Sequence, residues 1–127
     1  MNGLRSTVRP MELRRAAADE TVAVRGILDA AMLEAEEAAL EEEATLVAAV
    51  EGRLLGALVL DGEEIIAVAV RPGRRGQGVG TALVEAAAVR SERLTADFDP
   101  EVRPFYESLG FDVECTDGRC RGVRCAE

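Results

Sequence analysis

The chain has no histidine, no tryptophan and no lysine: its 15 basic residues are all arginine, and three phenylalanines and one tyrosine are its only aromatics. Without histidine, Ser-His-Asp and Cys-His catalysis are excluded along with the commonest zinc sites, so a general base would have to be a carboxylate, a tyrosine, a thiolate or water. No apolar run reaches membrane-spanning length, and Met1 to Pro10 lacks the hydrophobic stretch of a signal peptide. The expectation is a cytoplasmic protein. Positive charge is scarce too, since 15 Arg against 24 Asp and Glu leave −9. Such a charge repels phosphate backbones and anionic headgroups, and only Arg71, Arg74 and Arg75 cluster enough to reverse it locally. Neither nucleic acid nor a membrane surface is an expected partner. The acidic, lysine-free composition fits a salt-adapted surface or the codon bias of a GC-rich genome, and neither speaks to function.

What is present suffices for one core. A chain of 127 residues with 48% hydrophobic and 31% charged residues folds as a single domain that hides roughly two-thirds of its unfolded surface. Residues 1–10 read as a loose tail or short extra strand, and 11–127 as the domain. Glu12 to Ala16 alternates like a strand. Asp19 then offers an N-cap for a helix with Val24, Ile27, Leu28 and Ala31 on one stripe. Glu34, Glu36, Glu37, Glu41, Glu42 and Glu43 read as a solvated helix face rather than a site for a cationic substrate.

From Thr45 the period becomes extended: Thr45 to Val50, a Glu51-Gly52 turn, Leu54 to Leu60, an Asp61-Gly62 turn, and Glu63 to Val70. The third of these is apolar from Ile65 to Val70, which predicts a central strand covered on both faces. A helix from Val79 follows, with Val79, Ala82, Leu83, Ala86 and Ala87 as its stripe. Arg93 to Phe98 is then a strand parallel to its predecessor by a right-handed crossover. Pro104 opens a short helix through Leu109 that Gly110 can end, and Phe111 to Cys115 with Arg119 to Cys125 makes a hairpin around Asp117-Gly118. The class is α/β with a mixed sheet of the α+β kind: an antiparallel meander joined to a parallel strand pair, with helices on both faces.

The glycines between the fourth strand and its helix carry the chemistry. Gly76, Gly78 and Gly80 let the backbone approach a ligand and point N–H groups at it, at a helix N-terminus whose dipole favours an anion. Arg74 and Arg75 add two guanidinium forks. The combination suits a pyrophosphate. A P-loop needs a lysine that the chain lacks. A dinucleotide fold, tempting because Asp97 and Asp99 end the next strand, fails on layout: the spacing is Gly-x-Gly-x-Gly, and too little chain remains for repeated βαβ halves.

Arg75-Gly76-Gln77-Gly78-Val79-Gly80 resembles Q/R-x-x-G-x-G/A, the acetyl-coenzyme A motif of the GNAT superfamily of N-acetyltransferases, with Val68-Ala69-Val70-Arg71-Pro72 similar to that family's strand-four approach. Phe105-Tyr106-Glu107-Ser108-Leu109-Gly110-Phe111 is similar to its F-Y-x-x-L-G-F segment. The resemblance implies a GNAT-like fold and acetyl-CoA as cosubstrate. It implies that the backbone at Val68 and Val70 pairs with the pantetheine arm, that Arg74, Arg75, Gly76, Gln77, Gly78, Val79 and Gly80 surround the pyrophosphate, and that Thr81 reaches a phosphate oxygen. Tyr106 would be the general acid, and a strand-four N–H near Val70 the oxyanion donor. Two departures stand out: Asp99 where family members often carry Asn, and Val102 where they often carry Ala. An ionised carboxylate accepts but cannot donate, so one hydrogen bond to the cofactor arm is in question. Glu64, Asp97 and Asp99 are base candidates, with none preferred over a water chain.

The implied function is transfer of acetyl from acetyl-CoA to a primary amine of a small molecule or protein. The alternative is a non-catalytic acyl-CoA sensor or regulatory partner on the same fold. The chain is short for the family, so the acceptor pocket is either open or completed by a homodimer mate. Cys115 and Cys120 face each other across the last hairpin, where a bridge is sterically allowed, but a reducing compartment favours small packed thiols. No metal is expected.

Overall fold

The computed structural model describes residues 11–30 and 45–125. The N-terminal tail, Ala31 and the glutamate run from Glu34 to Glu43 lie outside them. In chain order the elements are β1 (Glu12–Arg15), α1 (Thr21–Ala30), β2 (Thr45–Val50), β3 (Arg53–Asp61), β4 (Glu64–Val70), α2 (Val79–Arg90), β5 (Arg93–Phe98), α3 (Arg103–Ser108), β6 (Asp112–Thr116) and β7 (Arg119–Cys125). The seven strands form one mixed sheet in the order β1-β2-β3-β4-β5-β7-β6. Its one parallel contact is β4 with β5, joined through α2 as a crossover connection requires. The final hairpin places β7, not β6, against β5.

Turn chemistry sets the register. Glu51 and Gly52 have φ of 52° and 81°, and Asp117 and Gly118 have 54° and 81°, the paired positive values of a type I′ turn. The expected Asp61-Gly62 turn is displaced by one residue, because Asp61 pairs with Glu64 and the loop residues are Gly62 and Glu63. Only Gly62 takes a positive φ there, 63°, so the turn has the glycine-first form of type II′. The shift accompanies a bulge: Val59 pairs with Ala67 but Leu60 with Ile65, leaving Ile66 as the extra residue of β4.

Two apolar layers sandwich the sheet. Val24, Ile27 and Leu28 of α1 bury against Val47, Ala49, Leu54, Ala57, Val59, Ala67 and Ala69. The several alanines in that face let the helix axis come close. On the other face Val79, Leu83, Val84 and Ala87 of α2 and Tyr106 of α3 pack with Leu46, Leu55, Leu58, Leu94, Ala96 and Phe98. Val84 was not on the expected stripe, and Ala82 and Ala86 are only half-buried; the larger valine takes the core-facing position. Gly56 seats the first turn of α2 on β3, since a Cβ there would lie 2.8 Å from the carbonyl oxygen of Ala69 and 3.0 Å from Val79 Cγ1.

Asp19 does not cap α1. A 3₁₀ turn at Ala18–Glu20 precedes the helix, and Glu20 reaches back to accept the Ala17 N–H at 2.7 Å. Arg14 of β1 clamps the same carboxylate with two bonds of 2.8 and 3.0 Å. These donors, the Arg14 pair first, hold the Glu20 pKa down to about 2. The expectation of free thiols also fails at one pair: Cys115 and Cys120 are bonded, with Cα atoms 4.0 Å apart, because the two-residue Asp117-Gly118 turn sets them on opposite sides of one rung. Cys125 is a free, exposed thiol. Among the described residues no helix is long and apolar enough to cross a membrane, and no group of side chains is arranged to hold a metal ion.

Candidate active site

β4 and β5 are paired at only two positions, Glu64 with Thr95 and Ile65 with Ala96. Beyond them β4 stays with β3 as far as Val70, while β5 stays with β7 through the Phe98–Cys120 pair. The sheet therefore parts, and a cavity of about 600 Å³ opens between the strands, lined by β4 from Ile65 to Val70, by Arg75 and Gly80, and by Phe105 and Tyr106 across from them. This corrects the expectation that β4 is covered on both faces. It is central in the sheet, but Ile66 is 38% exposed and Val68 and Val70 are half-buried at the opening.

Alternation along β4 decides which backbone groups face the gap. The N–H of Arg71 donates to the Leu55 carbonyl at 2.8 Å, so with a period of two the N–H groups of Ala69 and Ala67 also point to β3. Those of Val68 and Val70 then point into the cavity. The carbonyl of Val70 accepts a hydrogen bond from Arg75 Nε at 3.4 Å, as that orientation requires. The gap is thus walled by an unpaired strand edge. Arg71 itself is a latch, its Nε donating to the Leu54 carbonyl at 2.6 Å, so the basic cluster contributes Arg74 and Arg75 to the loop.

The loop turns through a 3₁₀ segment at Pro72–Arg74 into α2, whose N-cap is Gly78. Gly76 and Gly78 have φ of 79° and 85°, values that side chains rarely adopt. The first N–H groups of a helix have no partner within it, and here they belong to Val79, Gly80 and Thr81. Val79 offers only its backbone, because its side chain is buried in the core. Gly80 has Phe105 and Val70 at ordinary contact distance from where a Cβ would be, 3.5 and 3.7 Å, and sits where the helix end meets the cavity. Arg74, Arg75, Gln77 and Thr81 are exposed. Gln77 Nε2 lies 3.5 Å from the Gly73 carbonyl, which folds its amide over the loop itself.

All four aromatic rings of the chain gather at Tyr106. Phe98 stacks on it with centroids 4.2 Å apart, and Phe105 and Phe111 meet it edge to face at 5.1 and 5.2 Å. Gly122 makes room, since a Cβ there would press on Phe98 and Phe111 at 3.2 Å. The carbonyl of Tyr106 accepts the N–H groups of Leu109 and Phe111 at 3.1 and 3.2 Å, with Gly110 at φ 87° closing the helix. The three rings pack around the tyrosine ring, and these bonds hold its backbone. Burial pushes its pKa up to about 12, so the phenol keeps its proton throughout the neutral range.

Of the base candidates, Asp97 and Asp99 line the cavity and Glu64 does not. Both aspartates are already ion-paired: Asp97 Oδ1 with Arg121 Nη1 at 2.9 Å, and Asp99 Oδ1 with Arg119 Nη1 at 2.6 Å. Arg119 lines the same cavity and was not among the expected site residues. The sequence carried no signal for it, since the Asp117-Gly118 turn fixes the β6–β7 register but not which of the two strands lies beside β5. The bulge at Ile66 had no signal, because every neighbouring position is equally apolar.

The model of the acetyltransferase (GNAT) domain family matches residues 41–113, more than half of the chain. Solved structures share the fold at low identity. A GCN5-related N-acetyltransferase from Rhodopseudomonas palustris superposes with a TM-score of 0.67 at 22% identity, covering 93% of this chain and 98% of that one. A GNAT family acetyltransferase from Brucella melitensis in complex with acetyl-CoA gives 0.68 at 17%, covering 93% and 89%. N-acetylglutamate synthase from Neisseria gonorrhoeae, complexed with coenzyme A and L-arginine, gives 0.73 at 16%, covering 94% of this chain and 34% of that one. No curated protein matches the chain by sequence.

Proposed function

The chain belongs to the GNAT acetyltransferase family, and from that premise we propose that it transfers an acetyl group from acetyl-CoA to a primary amine in the β4–β5 cavity. The observation that carries this reading is the unpaired edge of β4 standing between a glycine-rich helix N-terminus and a buried tyrosine, all three on one cavity. Val68 and Val70 present N–H and C=O groups in the pattern of an open sheet edge, which suits the two amides of a pantetheine arm as an added strand. N–H groups from Arg75 to Gly80 at the α2 N-terminus, with the guanidinium groups of Arg74 and Arg75, suit a diphosphate. Thr81 adds a hydroxyl on the first turn. Two of the structures that share the fold hold coenzyme A or acetyl-CoA.

In the reaction the amine nitrogen attacks the thioester carbonyl, a C–N bond forms, the C–S bond breaks, and one proton leaves nitrogen as one arrives on sulfur. Val70 lies at the glycine-loop end of the gap and is left to the pantetheine arm, so the oxyanion donor in this reading is the N–H of Val68, which β3 does not use. Tyr106 donates to the departing sulfur. A thiol titrates near 8.5, well below a phenol held at about 12. The transfer from Tyr106 is therefore completed by return of the amine's proton to the phenolate through water. Asp97 and Asp99, each paired with an arginine, have an electrostatic part rather than a demonstrated claim to that proton.

The test is acetyl-CoA with a panel of amines, read as release of free thiol. Release that needs both substrates, and that Tyr106→Phe abolishes while coenzyme A still binds, is the expected result. Binding of coenzyme A with no turnover on any amine would instead favour an acyl-CoA sensor.

A further inference from the structure

The geometry points to an acceptor that carries a carboxylate beside its amine, an amino carboxylate rather than a plain amine or a polyamine; this rests on the transferase reading above. Phe98 of β5 and Cys120 of β7 are register partners buried toward Tyr106. Alternation sends Asp97, Asp99, Arg119 and Arg121 to the opposite face of the sheet. There α1 covers β3 and β4, and the side chains of these four residues are about half exposed or more.

Three of the four, Asp97, Asp99 and Arg119, line the cavity that Tyr106 lines. The other cavity arginine, Arg75, lies at the glycine-loop end, against Val70. The lip away from the diphosphate seat is therefore an ion pair, Asp99 with Arg119 at 2.6 Å, flanked by a second, Asp97 with Arg121 at 2.9 Å.

Such a lip discriminates by what it must give up. A simple amine that bonds Asp99 competes with Arg119 for the carboxylate and offers the guanidinium nothing in return. A carboxylate alone offers the aspartate nothing. A molecule with both groups takes the two ends together: its nitrogen donates to Asp99 and its carboxylate receives the fork of Arg119. One exposed pair, weak by itself, is exchanged for two charge-assisted contacts. A polycation would need unpaired acids at the lip, and both lining aspartates are already matched.

The experiment compares amino acids with the amines left by removing their carboxylate: alanine against ethylamine, phenylalanine against phenethylamine, leucine against isoamylamine. The wild type is expected to favour the amino acid by roughly 10- to 100-fold in kcat/KM. Arg119→Gln should reduce that preference to within about twofold while leaving the KM for acetyl-CoA unchanged. Arg124→Gln, which opens a distant pair with Glu85 on α2, should retain it. The same ratio is read without turnover, as amino acid against amine affinity for the coenzyme A-saturated protein by ligand-observed NMR. Equal use and equal binding of amine and amino acid, or a preference that survives Arg119→Gln, overturns the proposal. A binding preference that depends on Arg119, with no thiol released from any acceptor, supports the lip and sinks the transferase reading instead.

Discussion

Tyr106 is the residue whose surroundings decide most, because the burial that keeps its phenol protonated for the proposed role of general acid also makes it a pH probe. A tyrosine in the unfolded chain ionises near 10, and the folded one near 12. Between those values the unfolded state sheds a proton that the folded state keeps. Stability that is intact below pH 10 is therefore lost as pH rises toward 12, by up to about 3 kcal/mol from this group. Urea unfolding at pH 9 and pH 11.5 should show this slope in the wild type and a shallower one in Tyr106→Phe. The same variant should lower kcat roughly 10²- to 10⁴-fold with little change in the affinity for coenzyme A; unchanged turnover would reduce Tyr106 to a core residue. At this scale Tyr106, Arg75 and Gly80, all singled out by motif in the sequence, line one cavity, because a motif fixes both spacing and side chain. Sequence alone misassigned Asp19 and put Arg71 in the basic cluster, since a capping or latching bond depends on where another strand runs.

At the scale of elements, two joints hold the frame that the cavity interrupts. Glu20 ties β1 to the start of α1 through Arg14 and the Ala17 N–H. Its pKa, depressed to about 2, means that its contribution is present above about pH 4.5 and lost as pH falls toward 2. Acid unfolding of Glu20→Gln should lack that part of the slope, and the variant should be less stable than wild type at pH 7 but not at pH 2. Gly56→Ala tests the other joint. Backbone and a branched side chain stand at 2.8 and 3.0 Å from the new methyl, so α2 must lift from β3, with an expected loss of about 1–3 kcal/mol in denaturant unfolding and a weaker coenzyme A interaction, since the loop rides on that helix. A neutral result would mean that the seat is looser than drawn. Element order and the parallel crossover were legible from hydrophobic period and glycine placement. The one-residue shift to Gly62-Glu63 was not, because Asp-Gly is itself a good turn and only pairing across the Ile66 bulge selects the alternative. The Cys115–Cys120 bond was legible in its register and misjudged in its state, which depends on the compartment rather than on the fold.

For the molecule as a whole, function follows from a sheet that stays paired at its two margins and parts in the middle. The meander from β1 to β4 and the three-strand block of β5, β7 and β6 are each closed by antiparallel pairing. Two parallel rungs join them. That division was hidden in the sequence, where Ile65 to Val70 reads as a uniformly buried strand; nothing in an apolar run says that its neighbour will diverge after two residues. In the proposed function the exposed edge of β4 and the glycine loop together seat the acyl carrier. Amide hydrogen exchange with and without coenzyme A tests it directly. New protection is expected at Val68, Val70 and the amides from Gly76 to Gly80, with β6 unchanged. Binding that protects other amides and leaves these exchanging as before would contradict it.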